Sequence, residues 1–229
     1  MKLFTLGTDA GKVAEELKKF QLSESGVLLF FEIKELKESS DMEHEIGKSS
    51  GYCGVIGNSS DATLSAFNAF SKHNPGAGII AFSARPDVNA LVELIENKAL
   101  DKNNIVIVGS RNLDKDKKKF LDESKIKTYF MKEMSFEGVR MVADNVMSVA
   151  RQWSKAYISI DISVLDPAFA PGANYQEPGG MATRDLLYFI QRLKMLRNIG
   201  MFDITGFDLE KDLNGITAKT VAKIIAELS

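Results

Sequence analysis

Short β-rich runs alternate with longer segments of helical periodicity along the 229 residues, and this alternation restricts the fold more than any other feature. In strand–helix–strand units the crossover helix returns the chain to the same edge, so the strands are parallel and helices cover both faces. Eight runs read as strands: Leu3–Leu6, Val27–Ile33, Tyr52–Ile56, Gly78–Phe82, Ile105–Val108, Lys127–Met131, Tyr157–Asp161 and Met201–Ile204. Between them, apolar residues return at helical spacing, as in Val139, Val142, Ala143, Val146, Met147 and Ala150. Such a stripe buries one helix face against a sheet. The same pattern marks Ala10–Phe20, Asp61–Ser71, Val88–Asn97, Lys115–Asp122, Thr183–Leu196 and Thr217–Leu228, with Thr217 as an acceptable N-cap. The expected fold is α/β, a three-layer sandwich around a doubly wound eight-stranded parallel sheet. No repeat or Pro/Gly/Ser linker divides the chain, so residues 1–229 read as a single domain.

One segment breaks the alternation. Pro167, Pro171 and Pro178 fall with Gly172, Gly179 and Gly180 after the Tyr157–Asp161 strand, in a stretch that cannot be helix or central strand. It reads as a long rigid loop at the carboxyl end of a strand, the edge where open α/β sheets bind ligands.

Several weaker patterns give way to plainer readings. Gly7-Thr8-Asp9-Ala10-Gly11-Lys12 resembles a phosphate-binding loop but is one residue short, with Val13 where a hydroxyl should hold magnesium. Gly57-Asn58-Ser59-Ser60-Asp61 resembles a nucleophile elbow, yet its final glycine is aspartate and no base is at hand. The two histidines, His44 and His73, precede strands. They therefore belong at the opposite edge of the sheet, about 15 Å away. Lys117-Lys118-Lys119 sits among acidic residues as a solvated helix face, and Cys53 reads as a small buried hydrophobe.

Composition closes off other classes. With 29 basic and 31 acidic residues the formal charge is −2, which gives no case for nucleic acid or an anionic membrane surface. No apolar run approaches the roughly 20 residues of a membrane span, and Met1–Phe4 leads into a strand rather than a signal segment, so a soluble, cytoplasmic protein is expected. A single cysteine excludes an internal disulfide and a cysteine-based zinc site.

The stretch Ser159-Ile160-Asp161-Ile162-Ser163-Val164-Leu165-Asp166-Pro167-Ala168-Phe169-Ala170-Pro171-Gly172, continued by Glu177-Pro178-Gly179-Gly180, closely resembles the ureohydrolase family of arginases, agmatinases and their relatives. The family pattern there is S-x-D-x-D-x-x-D-P-x-x-A-P-G followed by E-P-G-G. Phe202-Asp203-Ile204-Thr205 with Asp212, Gly215 and Thr217-Ala218 is similar to the family's last strand, turn and helix, and Val108-Gly109-Ser110-Arg111 to its G-x-R strand end. The resemblance runs from about Tyr52 onward and implies the arginase-like sandwich and a homo-oligomer.

It also implies an activity, in which two manganese ions activate a hydroxide that attacks a guanidinium carbon and releases urea. Carried over position by position, the family's G-G-D-H falls on Gly57–Ser60, so a ligand histidine has become Ser60. D-A-H-x-D falls on Ser83-Ala84-Arg85-Pro86-Asp87, and the second aspartate of D-x-D has become Ser163. Only two of six ligand positions, Asp87 and Asp161, keep their carboxylates. Serines are poor ligands for such ions and Arg85 brings a fixed positive charge, so no metal or other cofactor is expected. The expected function is a binding, regulatory or subunit role without metal-dependent hydrolysis. The alternative is an amidine or guanidine hydrolase acting with one weak ion or by another mechanism. Ser60, Ser83, Arg85, Asp87, Asp161, Ser163 and Glu177 are the candidate site residues, for a small cationic guanidino or amine ligand. Arg85 is expected to lie in or beside the ion position and pair with Asp87, Asp161 or both, with Glu177 either facing the crevice or pairing with Arg85.

Overall fold

The computed structural model describes residues 1–6, 12–13, 15–17, 32–36, 40–48 and 51–229. Within them, β1 (Lys2–Leu6), β2 (Glu32–Leu36), β3 (Cys53–Gly57), β4 (Gly78–Phe82), β5 (Ile105–Ser110), β6 (Lys127–Phe130), β7 (Ala156–Asp161) and β8 (Ile199–Thr205) form one sheet. Its order is β2-β1-β3-β8-β7-β4-β5-β6, and every pairing is parallel. The helices are α1 (Ser40–Lys48), α2 (Ser60–His73), α3 (Val88–Glu96), α4 (Lys115–Ser124), α5 (Met131–Glu137), α6 (Val139–Ala150), α7 (Thr183–Leu193) and α8 (Ile216–Leu228).

Side chains alternate across the strands and feed two separate cores, which makes the three layers. Ile80, Phe82, Ile158, Ile160, Phe202 and Ile204 point to the face covered by α6, α7 and α8. Ile79, Ile105, Ile107, Tyr157 and Met201 point to the face covered by α1 to α4. Tyr157 is held edge-on to Phe67 of α2, with ring centroids 5.4 Å apart.

Three local expectations shift. The second strand is Glu32–Leu36, so only its first two residues overlap Val27–Ile33, and Val27–Phe31 lie outside the described residues. As an edge strand bonded only to β1, it does not need an apolar run, and Leu36 is its one buried residue. Of the helix over Ala10–Phe20, residues 12, 13 and 15–17 are described and helical, and the glycine turn over Gly7–Gly11 lies outside. β6 stops at Phe130, because Glu133 turns back to accept from the Phe130 N–H at 3.1 Å and so starts α5 at Met131. Nor does Thr217 cap α8. Gly215 holds the N-cap position at φ 67°, Asp212 accepts from the N–H groups of Thr217 and Ala218 at 2.9 and 3.0 Å, and the Thr217 hydroxyl accepts from Gly172 N–H. No described helix is long and apolar enough to cross a membrane.

Candidate functional site

The strands β3, β8, β7 and β4 end together at the carboxyl edge, where a cavity of about 420 Å³ opens beneath the long loop. Period-two alternation sets its polar floor. Ser159 faces Asp203 across the β7–β8 pair and Asp161 faces Thr205, all on the side covered by α2 and α3.

At the end of β7 the chain enters a single 3₁₀ turn, Ile162–Val164, capped by Asp161. Asp161 Oδ1 accepts from the Ser163 N–H at 2.9 Å, and Oδ2 accepts from the Ser83 hydroxyl at 2.8 Å. Asp87, the N-cap of α3, uses its carboxylate in the same way. Oδ1 accepts from Ala90 N–H at 3.2 Å, and Oδ2 accepts from the Ser60 hydroxyl at 2.7 Å. Each of these four oxygens therefore receives an uncharged donor. Burial raises the pKa of Asp161, against the hydrogen bonds from Ser163 and Ser83 and the more distant Arg111 charge. The Ser163 hydroxyl is buried and makes no well-formed hydrogen bond, although it lies near enough to favour the ionised Asp161.

Arg85 does not enter the ion position. Its guanidinium turns outward, 43% exposed, donating to Asp114 Oδ2 at 3.1 Å and stacking 5.6 Å from the centre of the Tyr175 ring. Asp114 is the better partner because it stays in water. The Lys117 N–H at the start of α4 and the Arg85 contact hold its carboxyl below the usual range. Pairing there avoids the desolvation of a guanidinium beside Asp161. Glu177 neither lines the cavity nor pairs with Arg85. Its carboxylate accepts from the Tyr175 hydroxyl at 3.3 Å, which puts Tyr175 between it and the crevice. Ser163 likewise lies outside the cavity wall, whereas Ser60, Ser83, Arg85, Asp87 and Asp161 all line it. His73 lines a depression at the opposite edge with Tyr52 and Cys53, so it cannot serve as a base here.

Two features carry the site without being evident as site residues. Arg111 closes the G-x-R strand end and forks into the long loop, donating to the carbonyls of Gly109, Ser163, Val164, Leu165 and Glu177. Asp166 stitches the two halves of the family motif together. It accepts from Ala168 N–H at 3.0 Å and from Gly179 and Gly180 N–H at 2.7 and 3.2 Å, which lowers its pKa. Behind the cavity wall, Asp203 is fully buried and accepts from the hydroxyls of Tyr157 at 2.7 Å and Ser159 at 2.9 Å, with the Thr63 hydroxyl of α2 near enough to favour its charged form.

Gly206 follows β8 at φ 80°, and a Cβ there would stand 2.0 Å from Asp161 Oδ1. Gly206→Ala is therefore expected to cost at least the roughly 1–3 kcal/mol of a strained left-handed residue and to displace Asp161. Urea unfolding checks this, and an unchanged midpoint would show that the contact is slack.

The family model described as the arginase family matches residues 38–229, and the chain belongs to that family. An arginase from Staphylococcus aureus is 23% identical over 239 residues, an alignment that spans 93% of this chain and 79% of that protein. The crystal structure of arginase from Bacillus subtilis superimposes with a TM-score of 0.86 at 20% identity, covering 100% of this chain and 97% of that one. Formimidoylglutamase from Bacillus subtilis gives 0.90 at 16% identity, over 99% and 85%. These likenesses establish the fold as the arginase-like sandwich.

Proposed function

We propose that this arginase-family chain uses its crevice to bind a small cationic molecule, an amine or guanidine, without a manganese pair, and that it does not carry out metal-dependent hydrolysis. The observation that carries the reading is the state of the two remaining carboxylates. All four oxygens of Asp87 and Asp161 accept from hydroxyl or amide donors. Hard divalent ions need several anionic or imidazole ligands, and among the described residues no three Asp, Glu, His or Cys side chains converge to provide them. The donor set does not fit a binuclear centre. It does suit an organic cation, because Arg85 is spent on Asp114 and leaves Asp87 and Asp161 facing the cavity with hydroxyl and amide partners only.

Thermal unfolding with added manganese tests the metal half of the reading. An ion present at a hundredfold its Kd stabilises a native state by about 2.7 kcal/mol, worth roughly 5–10 °C for a chain of this size. The expected shift at millimolar manganese is under about 1 °C by the same relation. A shift of several degrees, together with urea release from arginine or agmatine, would favour a working hydrolase.

A further inference from the structure

The cavity continues below the strand ends. Ile79 and Ala81 of β4, and Ser83 just past its end, alternate onto the face under α2 and α3, and all three line it. At about 3.3 Å per residue, that wall descends about 13 Å from the rim. Ala81 belongs to a central strand, between β7 and β5, yet it is only half-buried, so the helices stand off the sheet there. Leu64 of α2 and Leu91 and Leu94 of α3 form the facing wall. The result is a slot, polar at the rim and apolar at depth, whose volume of about 420 Å³ falls in the range of sites for small organic ligands.

Building on the reading of the crevice as a metal-free ligand site, we propose that its ligand is an amphipathic primary amine, with the ammonium head at Asp87 and Asp161 and an unbranched apolar tail in the slot between β4 and helices α2 and α3. The sign of the head follows from the pairing already present. Arg85 is held by Asp114 and Tyr175, and Arg111 is committed to loop carbonyls. An ammonium offers three donors to carboxylates that lack a bonded cation, whereas an anionic head would meet two like charges. Among the described residues of the lining, the cations are Arg85, held by Asp114, and Lys117, on the rim with its Nζ 3.4 Å from the Pro86 carbonyl, and Lys117 is the one that could favour an anion. Carboxylates are therefore the decisive control. The tail follows from the apolar lower wall, where each buried methylene adds affinity.

The test is calorimetric titration of the wild-type chain with straight-chain amines from ethylamine to octylamine, the matching carboxylates and alcohols, and guanidine. Affinity for the amines is expected to rise about fourfold per methylene until the tail reaches Ile79. Asp161→Asn should weaken every amine by about tenfold, the loss of one charge-assisted contact. Ala81→Leu should weaken only the longer ones, and if it does not fold, the wild-type series alone decides. Binding of guanidine or short amines with no gain from chain length would overturn the slot while leaving the metal-free reading intact. Carboxylates binding more tightly than amines would overturn the head assignment, and no binding by any compound would overturn the proposal as a whole.

Discussion

Arg111→Met is expected to lower the unfolding midpoint by roughly 6–12 °C, the equivalent of about 3 kcal/mol for a chain of this size. Arg111 donates to five main-chain carbonyls that lie on the strand end, the 3₁₀ turn and the Glu177 loop. Methionine fills similar space but takes a donor from each of them; Val164 still accepts from the Met181 N–H, and the loss at the other carbonyls is costly because under-satisfied buried acceptors are. Arg111→Lys should recover little, because an ammonium cannot fork between carbonyls on separate segments. Differential scanning calorimetry of both variants checks this. A midpoint within a degree of the parent would mean that the loop stands without its clamp.

The second large effect is a fall in stability as the pH rises from about 4 to about 6. Burial pushes the Asp203 carboxyl up to about 6 from 3.8, against the stabilising hydroxyls of Tyr157, Ser159 and Thr63 and with a further push from Asp161. The folded chain then holds this proton more tightly than the unfolded chain. The Asp203 contribution is therefore fully present below about 4, is lost through the window up to about 6, and is absent above it, a loss of about 3 kcal/mol. Asp161, also raised by burial, acts in the same direction. Asp114, Asp166 and Asp208 have lowered pKa values, so their contributions are lost only at more acid pH. Stability should peak near pH 4–5 rather than at neutrality. Urea unfolding between pH 4 and 8 reads this directly. Asp203→Asn should flatten the dependence, and Tyr157→Phe, which removes a donor to the charged form, should extend it to higher pH. A flat or rising profile in the wild type would contradict the assignment.

What the sequence made legible follows from how local each signal is. The β-α alternation depends on short-range periodicity, and seven of the eight strands lie where that periodicity puts them, to within a few residues at their ends. The second strand was not legible because an edge strand with four exposed residues carries no apolar signature. The candidate residues at or after strand ends, Asp161 on β7 and Ser83 and Asp87 in the turn from β4 to α3, converge because parallel strands bring their carboxyl ends to one edge. Arg85 and Glu177 went elsewhere for reasons that no linear pattern contains. Arg85 met a capping aspartate from α4, and Glu177 met a tyrosine two residues away. Arg111 was visible as part of a motif, but its role depends on carbonyls more than 50 residues later in the chain. The Asp203 cluster was the most accessible omission, since alternation alone places Tyr157, Ser159 and Asp161 on one face opposite Asp203 and Thr205.

Two carboxylates bonded to hydroxyl and amide donors, with no further anionic or imidazole ligand beside them among the described residues, are proposed not to assemble a binuclear centre. The most direct measurement is metal content after equilibrium dialysis of the purified chain against excess manganese, followed by removal of free ion. Far less than one manganese per chain is expected, whereas two manganese ions retained per chain would show a working binuclear site.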